Sequence, residues 1–357
     1  MLVRYMLGTL LCVVFLACSE GAIEVSPTDD QELYFPPRDS EDWETISPHS
    51  LDWDLAKLAD LNEFLMGDNT KSFMILVDGK IVVEEYYNGH SVNDTWRWNS
   101  AGKTLVTSIT GISEQEGYID ISNPVDTYLG QGWTAMDIDS EQHIEPYHLL
   151  TMTSGINDQN QLIVHRNLTY LADAGNRWSY SNVFQMLIEV VASATGDDFE
   201  TYFEEKLADK IGMQGFWNFG AIFKIYHSTT RSMARYGLLA LHQGTWEQDQ
   251  VIAPSFFEKS IAPSQSLNPS YGYMWWLNGK SQYMLPGSQE VHEGSLIPQA
   301  PGDMYAAMGA NDQRLYVIPS KNMVVVRMGE SSEISRADFA LSNFDHLFWD
   351  MLMDVID

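Results

Sequence analysis

Ser100 and Lys103 stand three residues apart in Ser100-Ala-Gly-Lys103, the single Ser-x-x-Lys of the chain. A hydroxyl is a weak nucleophile until a base takes its proton, and a lysine amine whose pKa is lowered by burial is such a base. On a helix this spacing sets both side chains on one face. The residues before Ser100 read as strand and loop and a helix begins near Thr104, so Ser100 opens that helix. There, backbone N–H groups and the positive end of the helix dipole face a developing oxyanion. The same residues also fit an N-capping Ser followed by an ordinary helical Lys.

Tyr180-Ser-Asn182 supplies a second proton-handling group at the start of the helix-like stretch NVFQMLIEVVASATG. Read alone, Tyr180 equally fits a buried aromatic with a satisfied hydroxyl. A competing match, Tyr86-Tyr-Asn88, precedes the serine and reads as strand aromatics with a turn Asn. Of the eleven tryptophans, Trp98 is the candidate for an aromatic acyl pocket because it lies two residues before Ser100; core packing suits most of the others. The histidines (His143, His148, His165, His227, His242) lack metal-ligand spacing, so no metal is expected. A Gly-x-Ser-x-Gly elbow and a Gly-rich phosphate loop are both missing from the sequence. No cofactor is expected.

The elements that must position these residues follow from periodicity. Leu51 to Met66 carries Leu55, Leu58, Leu61 and Leu65 at helical spacing, and SFMILVDGKIVVEEYY gives two strands around an Asp78-Gly79 turn. From Thr104 to about Gly244 helical segments dominate, most of them stopped by Gly. Strand signals return in YGYMWWLN, DMYAAMGA, QRLYVIP and NMVVVRMG, and SRADFALSNFDHLFWDMLMDVI closes the chain as an amphipathic helix. The expected fold class is α+β (α/β): one antiparallel sheet flanked by terminal helices, with an inserted all-helical subdomain. The expected domain spans 51–357, its sheet part being 51–103 and 245–357 and its helical subdomain 104–244.

Ser-x-x-Lys followed by Tyr-x-Asn resembles the motif pair of penicillin-binding proteins and serine β-lactamases. The stretches HLLTMTSGI, WSYSNVFQMLIEVVASATG, ARYGLLALHQGTW, SYGYMWW and PGDMYAAMGANDQRLYVIPSKNMVVVRMG are similar, in order over about 70–330, to the class C β-lactamase-like family. That family includes esterases, D-aminopeptidases and 6-aminohexanoate-dimer hydrolases. The resemblance implies a β-lactamase/transpeptidase-like fold and acyl-enzyme chemistry, with Ser100 as nucleophile and Lys103 and Tyr180 as acid–base partners. It implies that Asn182 positions substrate or Lys103, and that the oxyanion hole pairs the N–H of Ser100 with that of Ala310 or Asn311. The third motif departs from the family: Gly309-Ala-Asn-Asp-Gln313 has no basic residue. An acidic Asp312 there is expected to oppose a substrate carboxylate and hence β-lactam turnover. Arg314, next to Gln313 on a strand, is expected to face away.

The opening residues read as a secretion signal. Arg4 supplies a positive n-region, and the apolar run Met6 to Leu16 is shorter than the roughly 20 residues a membrane span needs. Phe15-Leu-Ala-Cys18 reads as a lipoprotein cleavage box with Cys18 lipidated, so 1–18 is the leader and 19–50 a tether and lead-in loop. The expected location is therefore the periplasm or outer membrane of a bacterium, touching membrane only through that lipid anchor. Both cysteines, Cys12 and Cys18, fall in the leader, so the body has no disulfide, thiol nucleophile or cysteine metal site. The 49 acidic against 20 basic residues give a net charge of −29, which disfavours nucleic acid and anionic lipid as partners.

Together these readings make the chain a serine hydrolase of small-molecule esters or amides, and the acidic surface suits a substrate with an exposed amine. A peptidoglycan D,D-peptidase or β-lactamase on the same fold is the second reading. A ligand-binding surface lipoprotein without catalysis is the third.

Overall fold

The computed structural model describes residues 33–220, 222–332 and 342–357. The leader with Cys18 and the first part of the tether lie outside the described residues. In chain order the elements that frame the site are α1 (Leu55–Gly67), β1 (Thr70–Val77), β2 (Lys80–Tyr86), β3 (Trp96–Arg97), α2 (Lys103–Gln115) and α3 (Met186–Thr195). They continue as β4 (Gly215–Phe219), β5 (Lys224–Ser228), α4 (Thr230–Leu241), β6 (Trp276–Leu277), β7 (Tyr305–Gly309), β8 (Gln313–Ile318), β9 (Met323–Gly329) and α5 (Asn343–Ile356).

Among the described residues, six strands form one antiparallel sheet in the order β2-β1-β9-β8-β7-β6. Strands from the two ends of the chain thus share one sheet, as the sequence order implies. The β1–β2 hairpin turns at Asp78 and Gly79, whose φ values of 49° and 80° suit a two-residue primed turn. Successive residues on β1 serve opposite faces. Ser72 accepts from Thr230 Oγ1 of α4 at 2.5 Å, while Phe73 packs edge-on against Phe348 of α5. The sheet is therefore covered by α4 on one side and by α5, with α1 packed beside it, on the other.

Helix boundaries follow the caps. Asp54 accepts from the N–H groups of Ala56 and Lys57, so α1 starts at Leu55, and the expected first turn is instead a separate 3-10 turn at Pro48–Leu51. A capping box of Ser342 and Asp345 opens α5. The expected start of that helix, near Ser335, lies outside the described residues.

Two expectations need correction. The insert 104–244 is not all helical: Gly215–Phe219 and Lys224–Ser228 pair as a hairpin, and β5 also pairs β3 through Trp96↔Ser228 and Arg97↔His227. Side-chain alternation fits the hairpin, because Trp217 turns inward onto Phe199, Phe203 and Tyr226 while its neighbour Phe216 stays exposed. Moreover, α4 packs across β1, β8 and β9, so it belongs with the sheet rather than with the helical part. The described part of the supposed tether, from residue 33 onward, is also bound in place. Tyr34 N–H donates to Asp78 O at 3.0 Å, Trp43 Nε1 donates to Gly79 O at 2.7 Å, and buried Arg235 donates to the carbonyls of Pro36, Pro37 and Ser40. Among the described residues no helix is long and apolar enough to cross a membrane.

Candidate active site

Ser100 lies in a 3-10 turn, Asn99–Gly102, that runs directly into α2 at Lys103. Asn99 enters this turn in the left-handed region (φ 49°), which Asn tolerates better than most residues. Its Nδ2 donates to Ala310 O at 2.7 Å, tying the turn that carries Ser100 to the end of β7. The approach there is close enough to require Gly309: a Cβ at that position would meet Trp98 O at 2.4 Å and Ser100 N at 3.1 Å. This juxtaposition brings Ser100 and Ala310 together in the lining of one cleft.

Lys103 Nζ donates to Ser100 Oγ at 2.8 Å. The side chain is buried, and desolvation alone lowers its pKa from 10.5 to about 7. Its surroundings are the ring faces of Phe184 (4.5 Å) and Tyr180 (4.7 Å), which support the charged form far less than water does. At neutral pH a substantial fraction of this amine is therefore unprotonated and able to accept the Ser100 proton.

Tyr180 stacks on Trp276 and packs edge-on against Tyr271, so burial raises its pKa well above the ordinary tyrosine value. Hydrogen bonding with Ser100 and the charge of Arg314 pull it back only in part. Tyr180 stays protonated at neutral pH, so of the two groups Lys103 is the one able to take up a proton. The following turn is set by Ser181, which caps Val183 N–H, and it places Asn182 in the cleft wall. Asn182 Nδ2 donates to Gln161 O at 3.0 Å, and its backbone N–H donates to Gln161 Oε1 at 3.1 Å, so the side chain is held rather than free.

The cleft, about 230 Å³, is lined around Ser100 and Lys103 by Asn182, Phe184, Trp217, Phe223, Ala310 and Asn311, among others. Trp98 is not part of it. It is fully buried, donates to Ser228 Oγ at 2.8 Å and packs on Tyr226 and Tyr236, so its nearness to Ser100 in sequence serves the core. Trp217, Phe184 and Phe223 form the aromatic wall in its place; Trp217 and Phe223 come from the hairpin that helical periodicity concealed.

Asp312 also departs from expectation. It sits with Asn311 in the β7–β8 turn, both at positive φ (54° and 61°), and its carboxylate points into the protein. There it accepts from Arg314 Nη2 at 3.0 Å, from Ser342 Oγ at 2.8 Å and from Ser332 N–H at 2.9 Å. A paired, buried carboxylate does not repel a substrate anion in the cleft. Arg314 does face away, into a bidentate pair with Asp345. Among the described residues no group of three His, Cys, Asp or Glu is arranged to hold a metal.

Sequence reasoning missed Asn99 and Arg97, and gave Gln313 a place in the third motif but no structural part. Asn99 ties the Ser100 turn to Ala310, and Gln313 fixes the β7–β8 turn, donating to Asn311 O at 2.7 Å and Gly329 O at 2.6 Å. Arg97 lines the cleft and is paired with Glu330. Its only signal in the sequence is a cation three residues before the nucleophile.

The sequence model of the beta-lactamase family matches residues 70–338, most of the chain. The chain belongs to the beta-lactamase family. Among solved structures, a provisionally named 6-aminohexanoate-dimer hydrolase from Bacillus anthracis superposes with a TM-score of 0.67 at 19% identity, covering 90% of this chain and 89% of that one. A provisionally named beta-lactamase from Bacteroides dorei DSM 17855 gives 0.68 at 15% identity, covering 85% and 99%. A family VIII carboxylesterase gives 0.64 at 13% identity, covering 84% and 97%. No curated protein matches the chain. At these identities the structural likeness speaks to the fold, and this beta-lactamase-family fold is the one that the motif order implies.

Proposed function

We propose that the protein is a serine hydrolase that cleaves small esters or amides through an acyl-enzyme on Ser100. The observation that carries this reading is the buried Lys103 amine, 2.8 Å from Ser100 Oγ at the wall of an open cleft. Burying a lysine without a counter-charge is costly, and a low amine pKa beside a hydroxyl is the benefit that offsets it. Neutral Lys103 takes the Ser100 proton as Oγ attacks the carbonyl carbon. The developing oxyanion rests on the N–H of Ser100 and that of Ala310 or Asn311. Lys103, now charged, returns the proton to the leaving oxygen or nitrogen, directly or through the Tyr180 hydroxyl. Water then repeats the sequence on the acyl-enzyme. Asn182 holds the cleft wall against which the substrate lies.

Hydrolysis of 4-nitrophenyl acetate by the wild type and by Ser100→Ala, with rapid acid quench and intact mass, tests the reading. A +42 Da acyl adduct on the wild type alone is expected. Steady turnover by Ser100→Ala equal to wild type would refute it.

One observation favours the second reading, a D,D-peptidase or β-lactamase activity. With Asp312 buried against Arg314, the like-charge argument against a β-lactam carboxylate no longer applies. Acylation of Ser100 by benzylpenicillin, read by mass, separates the two. We also infer export as a lipoprotein anchored at Cys18, from the leader sequence; a Cys18→Ala variant released from the membrane fraction would support it.

A further inference from the structure

We infer that Arg97 and Lys224 form an anion subsite at the rim of the catalytic cleft, and that the substrate is an ester or amide carrying a carboxylate. The inference rests on the hydrolase reading and adds the substrate class to it. The chain as a whole carries a net charge of −29, yet among the described residues the ionisable side chains that line this cleft are Arg97, Lys103 and Lys224, with no Asp or Glu among them. Lys103 is committed to the proton transfer. Arg97 and Lys224 have no part in that chemistry.

Both cations are held in place. The Arg97 guanidinium lies over the Trp96 ring at 5.3 Å, and Trp96 is itself fixed by donating to Gly329 O at 3.0 Å. Arg97 bonds Glu330 through Nη2, one nitrogen of a group with five N–H donors. Glu330 also accepts from Asn311 Nδ2 at 3.3 Å, which links the position of Arg97 to the oxyanion turn. Lys224 opens β5, and its backbone N–H donates to Gln185 Oε1 at 2.8 Å while its ammonium pairs with Glu189 at 2.6 Å. Glu330 and Glu189 are about half exposed (46% and 52%) and stand outside the cleft lining, so they orient the cations from the solvent side.

A carboxylate entering the cleft gains charge-assisted hydrogen bonds from donors that are already positioned. A neutral ester gains nothing from them, and a protonated amine offers these donors no acceptor. The amine-bearing substrate suggested by overall charge is therefore the wrong choice at the site itself: the local field, not the net charge, decides.

Two matched pairs of esters test this, because the carboxylate can sit on either side of the scissile bond. They are 4-nitrophenyl adipate against 4-nitrophenyl hexanoate, and 3-acetoxybenzoate against its methyl ester. In at least one pair the wild type is expected to favour the anion in kcat/KM by about tenfold or more at low salt, and the ratio falls as salt rises. Arg97→Gln and Lys224→Gln bring the ratio toward one, with Arg97→Lys intermediate. Since a ratio is read, partial misfolding affects both members equally and cancels. A ratio at or below one in both pairs, or one that both variants leave unchanged, overturns the subsite. Calorimetric binding of adipate, weakened about tenfold in Arg97→Gln, reads the subsite without turnover, and no binding overturns it. Failure of Ser100 to label with a neutral fluorophosphonate would instead overturn the hydrolase reading, whatever adipate does.

Discussion

Asn99 Nδ2 donates to Ala310 O at 2.7 Å, a single side chain joining the turn that carries Ser100 to the end of β7, where the proposed oxyanion site lies. The two segments are 211 residues apart in sequence, so no local preference fixes their relation. The joint is made by one amide and by the missing Cβ of Gly309.

Asn99→Ala is expected to lower kcat by roughly 10- to 100-fold with little change in KM, since misplaced oxyanion donors are felt mainly in the transition state. Asn99→Gly keeps the left-handed backbone but not the amide. A similar loss in both variants assigns the effect to the hydrogen bond, whereas full activity in the Gly variant assigns it to backbone strain. Steady-state kinetics on one chromogenic ester suffices.

The pH dependence of kcat/KM should show one ionisation on its acid side near 7, where Lys103 loses its proton, with activity rising as pH rises. No fall is expected before strongly alkaline pH, because burial holds the Tyr180 proton on. A profile whose only limb lies near 10 would assign the base elsewhere. Tyr180→Phe should keep the limb near 7 while lowering kcat.

Lys103 also carries a stability signature. Its pKa is 10.5 in the unfolded chain and about 7 in the folded one, so the unfolded state binds the extra proton between those values. Stability therefore rises with pH across that window, and the burial cost is present in full below pH 7. Lys103→Met, similar in volume, is expected to stabilise the fold by on the order of 3–5 kcal/mol at pH 6. The gain shrinks toward zero near pH 10.5, and activity is lost throughout. Urea unfolding at the two pH values checks this.

Asp345 does not line the cleft but anchors α5 to the sheet. It receives Arg314 at 2.6 and 2.8 Å and the Tyr316 hydroxyl at 2.6 Å, all within buried surroundings. Asp345→Ala leaves Arg314 with Asp312 as its remaining carboxylate. The expected cost is about 3–5 kcal/mol of stability, read as a lowered midpoint in thermal or urea unfolding.

Much of this was legible because periodicity and motif order report on it directly. The β1–β2 hairpin, α2, α4, β7 to β9 and α5 all stand where the alternation or the helical spacing of their side chains put them. Ser100 and Lys103 meet because the turn Asn99–Gly102 runs straight into α2, a relation that local sequence encodes, whereas Tyr180, two residues ahead of the turn Asn182–Gln185, reaches them through tertiary packing. What escaped depends on long-range partners. The β4–β5 hairpin sits in a stretch dominated by helical signals, and its pairing with β3 bridges more than a hundred residues. Trp98 and Asp312 were misread because sequence nearness to a site does not fix which way a side chain turns. The direction is set by Ser228 for the first and by Arg314 and Ser342 for the second. Arg97 carries no motif at all; only its position in the folded cleft marks it.

The most direct test is fluorophosphonate labelling followed by intact mass, run on the wild type and Ser100→Ala from pH 5 to 9. One adduct on the wild type, none on Ser100→Ala, and a labelling rate that climbs through pH 7 are expected if buried Lys103 activates Ser100. A folded wild type that takes no label, or a Ser100→Ala protein labelled at the same rate, would contradict it.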